Sequence, residues 1–213
     1  IKNFLSVSKY NDVTIIPNGV DLTKVRDKII NSSDNIRIIS IGRMVKIKDQ
    51  RTVIRAVKYL SDKNYNINLD FCGDGVLRDE LEEMVKAYKI TSSVKFHGMI
   101  SENEIFNILS KSDFSIISSI NEGFGVATIE SMASKALVLA SNIEINFEII
   151  QDNDLLFKIG DYKKLANLII YYSDNHNLYN LKINQLHRRS RLYESAITGS
   201  NHLSFYLKIH RQI

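Results

Sequence analysis

A glutamate stands directly before a Gly-Phe-Gly step in NEGFGVATIESMA, residues 121–133. Glu122 is that first carboxylate; Gly123, Phe124 and Gly125 follow it, and Glu130 comes eight positions after Glu122. A helix is expected over 124–134, so Glu122 sits ahead of its mouth and Glu130 about two turns in. The first amides of a helix are unpaired donors with partial positive charge, a seat for a phosphate or a sugar oxygen. Glycine lets such a ligand approach the backbone closely. From inside the helix, the Glu130 carboxylate could accept two hydrogen bonds from a diol such as a ribose. The same residues also read as a helix with one Glu favouring its positive end and another on its wet face.

A second group lies in GRMVKIKDQ, residues 42–50. Gly42 permits a tight turn and a close ligand, Arg43 can fork onto phosphate oxygens, and Lys48 adds a point charge. Two cations in a loop are also simply solvated. Gly73-Asp74-Gly75 starts a dinucleotide-like pattern, but Arg78 stands where a small residue is needed, leaving a tight strand-to-helix turn that can brush a ligand. Gly98 and Met99 lie at the centre of the run FHGMIS, where glycine again permits close approach. His97 has no metal-ligand spacing, and Asp152-Asn153-Asp154 reads as a polar turn rather than a metal pair. No metal site is expected.

These loops need a framework. Apolar runs at IRIISIG (36–42), NINLDFCG (66–73), SVKFHG (93–98), FSIIS (114–118), ALVLAS (136–141) and DLLFK (154–158) read as strands. Helical periodicity falls between them, at 49–60, 76–88, from Ser101, 124–134 and 144–151, and continues at 162–173. Ser101-x-x-Glu104 is a capping box. Strand–helix alternation with continuous apolar strands argues for an α/β fold, a parallel sheet with helices on both faces. Such sheets take ligands past the carboxyl ends of their strands. DVTIIP, residues 12–17, reads as a further short strand ended by Pro17. Residues 175–213 show no strand pattern and carry Lys182, Arg188, Arg189, Arg191, Lys208 and Arg211 against Glu194. They read as a helical tail, either packed on the domain with a basic wet face or meeting anionic lipid or a partner.

Hydrophobic residues make up 44% of the 213 and charged ones 24%, enough for a sizeable core and unlike a disordered or fibrous chain. A net charge of +4 suits an anionic ligand or a membrane surface, and no nucleic-acid partner is expected. The lone cysteine, Cys72, allows no internal disulfide and points to a reducing compartment. The opening IKNFLSVSKY has neither a starting methionine nor a leader, so the chain is expected to be a segment of something longer.

Taken in order, IPNGVD, IGRMVKIKDQ, LDFCGDGVLRDELEE, VKFHGMIS and NEGFGVATIESMA resemble the successive motifs of the GT4-type retaining glycosyltransferases of GT-B fold (glycosyl transferases group 1). The resemblance covers roughly residues 12–170. It implies the C-terminal, nucleotide-sugar-binding half of such an enzyme: a Rossmann-like domain over 36–174, preceded by a linker remnant and incoming strand over 1–35 and followed by a basic helical extension over 175–213. By this resemblance Arg43 and Lys48 hold the donor diphosphate, Glu122 lies beside the donor sugar, and Glu130 binds the ribose. Gly42 stands beside the phosphates, the 123–125 amides face sugar and phosphate, and Gly98 and Met99 run along the base. It further implies transfer with retention and without metal or other cofactor, a UDP-sugar donor rather than a GDP-sugar, and a glycan or lipid-linked acceptor. The acceptor would be held by an N-terminal domain or partner chain absent here, in the cytoplasm and at most peripheral to the inner membrane face. This chain has Lys135 and Leu137 where the family often has glycine and proline, and EINFEII lacks the usual glycines before Glu148. A non-catalytic nucleotide-sugar-binding subunit of a split transferase, or a nucleotide-sugar epimerase of the same fold, are the alternative readings.

Overall fold

The structure, a computed structural model, describes residues 14, 16–29 and 35–210. Six parallel strands form one sheet: β1 Ile36–Ile41, β2 Ile67–Cys72, β3 Val94–Gly98, β4 Phe114–Ile117, β5 Leu137–Ser141 and β6 Leu156–Phe157. Eight α-helices run through the described residues: α1 Gln50–Asp62, α2 Arg78–Ala87, α3 Glu102–Leu109, α4 Val126–Ala133, α5 Glu144–Ile150, α6 Tyr162–Asp174, α7 His176–Ser190 and α8 Ser195–His210. Each expected strand from 36 onward forms, and helices on both faces make the sheet Rossmann-like.

Burial on both faces is written in the strands. Ile38 and Ile39 are neighbours, so their side chains leave opposite faces, and both are 0% exposed. Ile39 and Cys72 pack with Phe106 and Leu109 of α3. Ser115 of β4 exchanges a buried 2.7 Å hydrogen bond with Ser131 of α4. Ile38 belongs to the larger core with Val53, Ile54 and Val57 of α1. Burial pushes the Cys72 thiol up to about 12, which fits a small core hydrophobe.

The spatial order of the strands is β3-β2-β1-β4-β5-β6. β1 therefore lies between β2 and β4, pairing Ile36 with Ile67 on one side and Ile38 with Phe114 on the other. The crossovers that leave β1 and β4 diverge from this point, opening a crevice above the two carboxyl ends.

The strand expected over 12–17 is not found at its described positions, since Thr14, Ile16 and Pro17 lie outside regular structure; the other three lie outside the described residues. Instead Val20 bridges Glu194 in parallel, its amide donating to the Tyr193 carbonyl and its carbonyl accepting from the Ser195 amide. A Cβ at Gly19 would lie 2.5 Å from the Ser195 Cα, so the Asn18-Gly19 step serves close packing here. α7 docks on the domain: Ile183 and Leu186 are buried, the Tyr179 hydroxyl donates to the Asp113 carbonyl at 2.8 Å, and His187 meets the Ala133 carbonyl at 2.8 Å.

Candidate functional site

The crevice is built by two loops that are tied together. After β1 the chain turns at Gly42, passes a 3-10 turn at Lys46–Lys48, and enters α1 through Asp49. After β4 it runs from Ser118 to Gly125 and enters α4. The Ile120 amide donates to the Ile47 carbonyl at 2.8 Å, and the Ser118 hydroxyl to the Lys48 carbonyl at 2.7 Å. Across the gap the Lys48 ammonium donates to Glu122 Oε1 at 2.5 Å. Ser119 donates to the same oxygen at 2.6 Å. The Lys48 and Glu122 side chains are only 23% and 14% exposed, so this pair is less screened than a surface bridge.

Glycines fix the first loop by letting backbones touch. A Cβ at Gly73, where φ is +136°, would lie 2.2 Å from the Gly42 carbonyl oxygen; one at Gly75 would lie 2.5 Å from that of Met44. The Gly73-Asp74-Gly75 turn thus braces the loop carrying Lys48. The Met44 amide on the Asp74 carbonyl, 2.8 Å, and the Leu77 amide on the Met44 carbonyl, 3.0 Å, complete the brace.

Gly125 is the N-cap of α4, with φ at +78°, a left-handed conformation that glycine adopts without strain. The helix therefore starts at Val126 rather than at 124. Thr128 and Ile129 amides donate back to the Gly125 carbonyl, and those of Val126 and Ala127 at the mouth have no backbone acceptor among the described residues. A cavity of about 250 Å³ opens there, lined by Gly42, Lys48, Glu122, Phe124, Gly125 and the first residues of α4. Thr128 lines it too, with a buried hydroxyl that has no hydrogen-bond partner among the described residues.

Of the expected site residues, the fold gathers Gly42, Lys48, Glu122, Phe124 and Gly125 around this cavity. Arg43 is exposed, and its guanidinium makes no hydrogen bond or ion pair among the described residues. Gly123 faces open space, with nothing within 4 Å of an added Cβ. Glu130 lies in the second turn of α4, outside the lining. Burial and, to a smaller degree, the Glu102 carboxylate push it up to about 7, against the Lys24 ammonium, which itself bonds Glu102. Gly98 ends β3, two strands from β1, and Met99 follows it; Met99 is exposed and Gly98 packs beside the Arg78–Asp74 pair.

Sequence reasoning missed Ser119 and Thr128. Ser119 differs from any loop serine only through its neighbours, since its carbonyl accepts from Ser141 and Ser141 in turn accepts from Asn146, all buried. His97 bonds Asp70 at 2.6 Å, a structural role. Asp152 caps a 3-10 turn and pairs with Lys182 at 2.5 Å, so the acidic turn is held by the tail. No cluster of three metal-ligating side chains occurs among the described residues.

A larger cavity of about 900 Å³ opens at the other end of the sheet, beside Asn35, Asn66 and Asp113, the residues that precede β1, β2 and β4. The glycine turns and the mouth of α4 open at the carboxyl end, so the smaller cavity is the candidate site.

A family model for glycosyl transferases group 1 matches residues 22–189. The chain belongs to this family. Protein CapJ of Staphylococcus aureus is 31% identical over 171 residues, covering 79% of this chain and 39% of that protein. The O-antigen biosynthesis glycosyltransferase WclY of Escherichia coli is 27% identical over 221 residues, covering 99% of this chain and 58% of that one. This chain thus spans about two-fifths to three-fifths of the length of these relatives. Among solved structures, Anabaena HepE in complex with UDP superposes with a TM-score of 0.80 at 18% identity, over 92% of this chain and 57% of that one, a likeness of fold. No helix among the described residues is long and apolar enough to cross a membrane.

Proposed function

We propose that this chain is the donor-binding part of a retaining, GT4-type glycosyltransferase that takes a UDP-sugar. The observation that carries the reading is the meeting of the β1 and β4 loops at the switch point, with the Lys48 ammonium beside the open amides of α4. The diphosphate lies between that ammonium and those amides, with Arg43 swinging in from solvent. The sugar lies toward Glu122, the ribose toward Glu130, and the base along Gly98 and Met99. As the bond from the anomeric carbon to the diphosphate oxygen breaks, negative charge builds on the leaving group. A fixed cation and helix amides stabilise that charge without needing to reorganise. The acceptor hydroxyl then bonds on the face that the diphosphate leaves, giving its proton to the departing phosphate oxygen. A UDP complex of a protein sharing this fold supports the choice of nucleotide.

The acceptor, a glycan or a lipid-linked sugar, is held by a domain or partner beyond this chain. Exposed Ile47, Val76, Met99 and Ile120 from four successive crossovers give the carboxyl rim an apolar character suited to such a closing surface. The chain alone is expected to transfer little or no sugar, and robust transfer by it would contradict this division of labour. Calorimetry with UDP and GDP tests the donor site. A charge-assisted hydrogen bond contributes about 1.5–3 kcal/mol, so Lys48→Ala is expected to weaken UDP binding by about ten- to a hundredfold. Equal binding by both proteins would count against the reading, and a GDP preference would overturn the choice of base.

A further inference from the structure

The cation that should grip the diphosphate already has an anion on it. Lys48 Nζ lies 2.5 Å from Glu122 Oε1, on the wall of the cavity where the phosphate would sit. The same oxygen accepts from Ser119 at 2.6 Å, while Oε2 has no hydrogen-bond partner among the described residues. A largely buried ammonium cannot be left unpaired without a penalty, nor can two anions share one ammonium freely.

From this geometry we infer that Glu122 is the resident counter-ion of Lys48 and that an incoming diphosphate displaces it. The inference rests on the donor-site reading. Lys48 changes partner from carboxylate to phosphate, and Ser119 keeps hold of the released carboxylate. Ser119 is suited to this because its own backbone is fixed, its carbonyl held by the Ser141 hydroxyl and Ser141 by Asn146. Glu122 is thereby freed of its cation only when the diphosphate is in place. An empty site keeps both charges neutralised, and donor binding delivers an unpaired carboxylate to the mouth of α4.

Two measurements on the 213-residue chain test this, with UDP as the probe. In calorimetry, Glu122→Gln keeps the shape and removes the competing charge. It is expected to bind UDP about tenfold more tightly than wild type, within the range over which close charge pairs couple. In a crystal structure of the wild-type chain with UDP, the Lys48–Glu122 contact is expected to open beyond 4 Å while the Ser119–Glu122 bond persists. Wild type binding UDP with no gain in Glu122→Gln, or the ion pair remaining closed beside bound nucleotide, overturns the exchange and leaves the donor site standing. No UDP binding by either protein removes the donor-site reading and the exchange with it. The crystal structure carries the test should the variant not fold.

Discussion

Glu130 keeps a carboxyl in surroundings that disfavour its charge, and this has a thermodynamic signature. Its ordinary value is 4.5, and in the folded chain burial raises it to about 7. Below pH 4.5 the group is neutral in both states and makes no difference. As pH rises from 4.5 to 7 the unfolded chain loses the proton first, so folding stability falls; above about 7 both forms are ionised and the loss is complete. Glu130→Gln removes that penalty and is expected to stabilise the chain by about 3 kcal/mol at pH 8, with no gain at pH 4. Urea unfolding at the two pH values reads this directly, and an equal effect at both would contradict it. A carboxyl inside the helix was legible in the stretch around Gly123–Gly125; that no hydrogen-bond partner meets it among the described residues was not, because that depends on Lys24 pairing with Glu102 instead. Lys48 and Glu122 were also legible as charges near glycines. Their mutual contact was not, since it spans 74 positions and two crossovers. Arg43 shows the converse, an expected clamp residue whose side chain is exposed to solvent.

At the scale of elements, the loop after β1 depends on a turn that does not itself line the cavity. Gly73→Ala places a methyl carbon 2.2 Å from the Gly42 carbonyl oxygen, backbone against side chain, in a conformation with positive φ. It is expected to cost about 1–3 kcal/mol in stability and to weaken UDP binding by shifting Lys48. Chemical denaturation and calorimetry check the two effects; unchanged stability would show that the loop gives way easily. The elements themselves were largely readable, because strands buried on both faces must be apolar throughout and helices must be periodic. The capping box at Ser101 forms as expected, hydroxyl to the Glu104 amide and carboxylate to the Ser101 amide. The start of α4 was misplaced by two residues because the left-handed conformation of Gly125 ends the loop there. The stretch at 12–17 has strand composition, yet its described residues take no place in the sheet; composition alone does not supply a neighbour to pair with.

For the molecule as a whole, strand order decides where the site lies. Alternating elements imply a parallel sheet and right-handed crossovers, but not which strand sits beside β1, since pairing partners are remote in sequence. The order found here places β4 against β1 and brings the loops that follow these two strands into contact. The tail was read correctly as helical, while several of its cations are engaged within the molecule. Lys182 pairs with Asp152, Arg189 donates to the carbonyls ending α5, and Arg191 pairs with Glu194. Arg211 lies outside the described residues.

Cavities open at both ends of the sheet among the described residues, and the proposed seat of the diphosphate is the one at the carboxyl end. A titration of the isotopically labelled chain with UDP, followed by amide resonances, decides between them. Perturbations at residues 42–48, 98–99 and 119–130 are predicted. Perturbations centred instead on Asn66, Asp113 and His176–Asn180, at the amino end of the strands, would contradict the assignment.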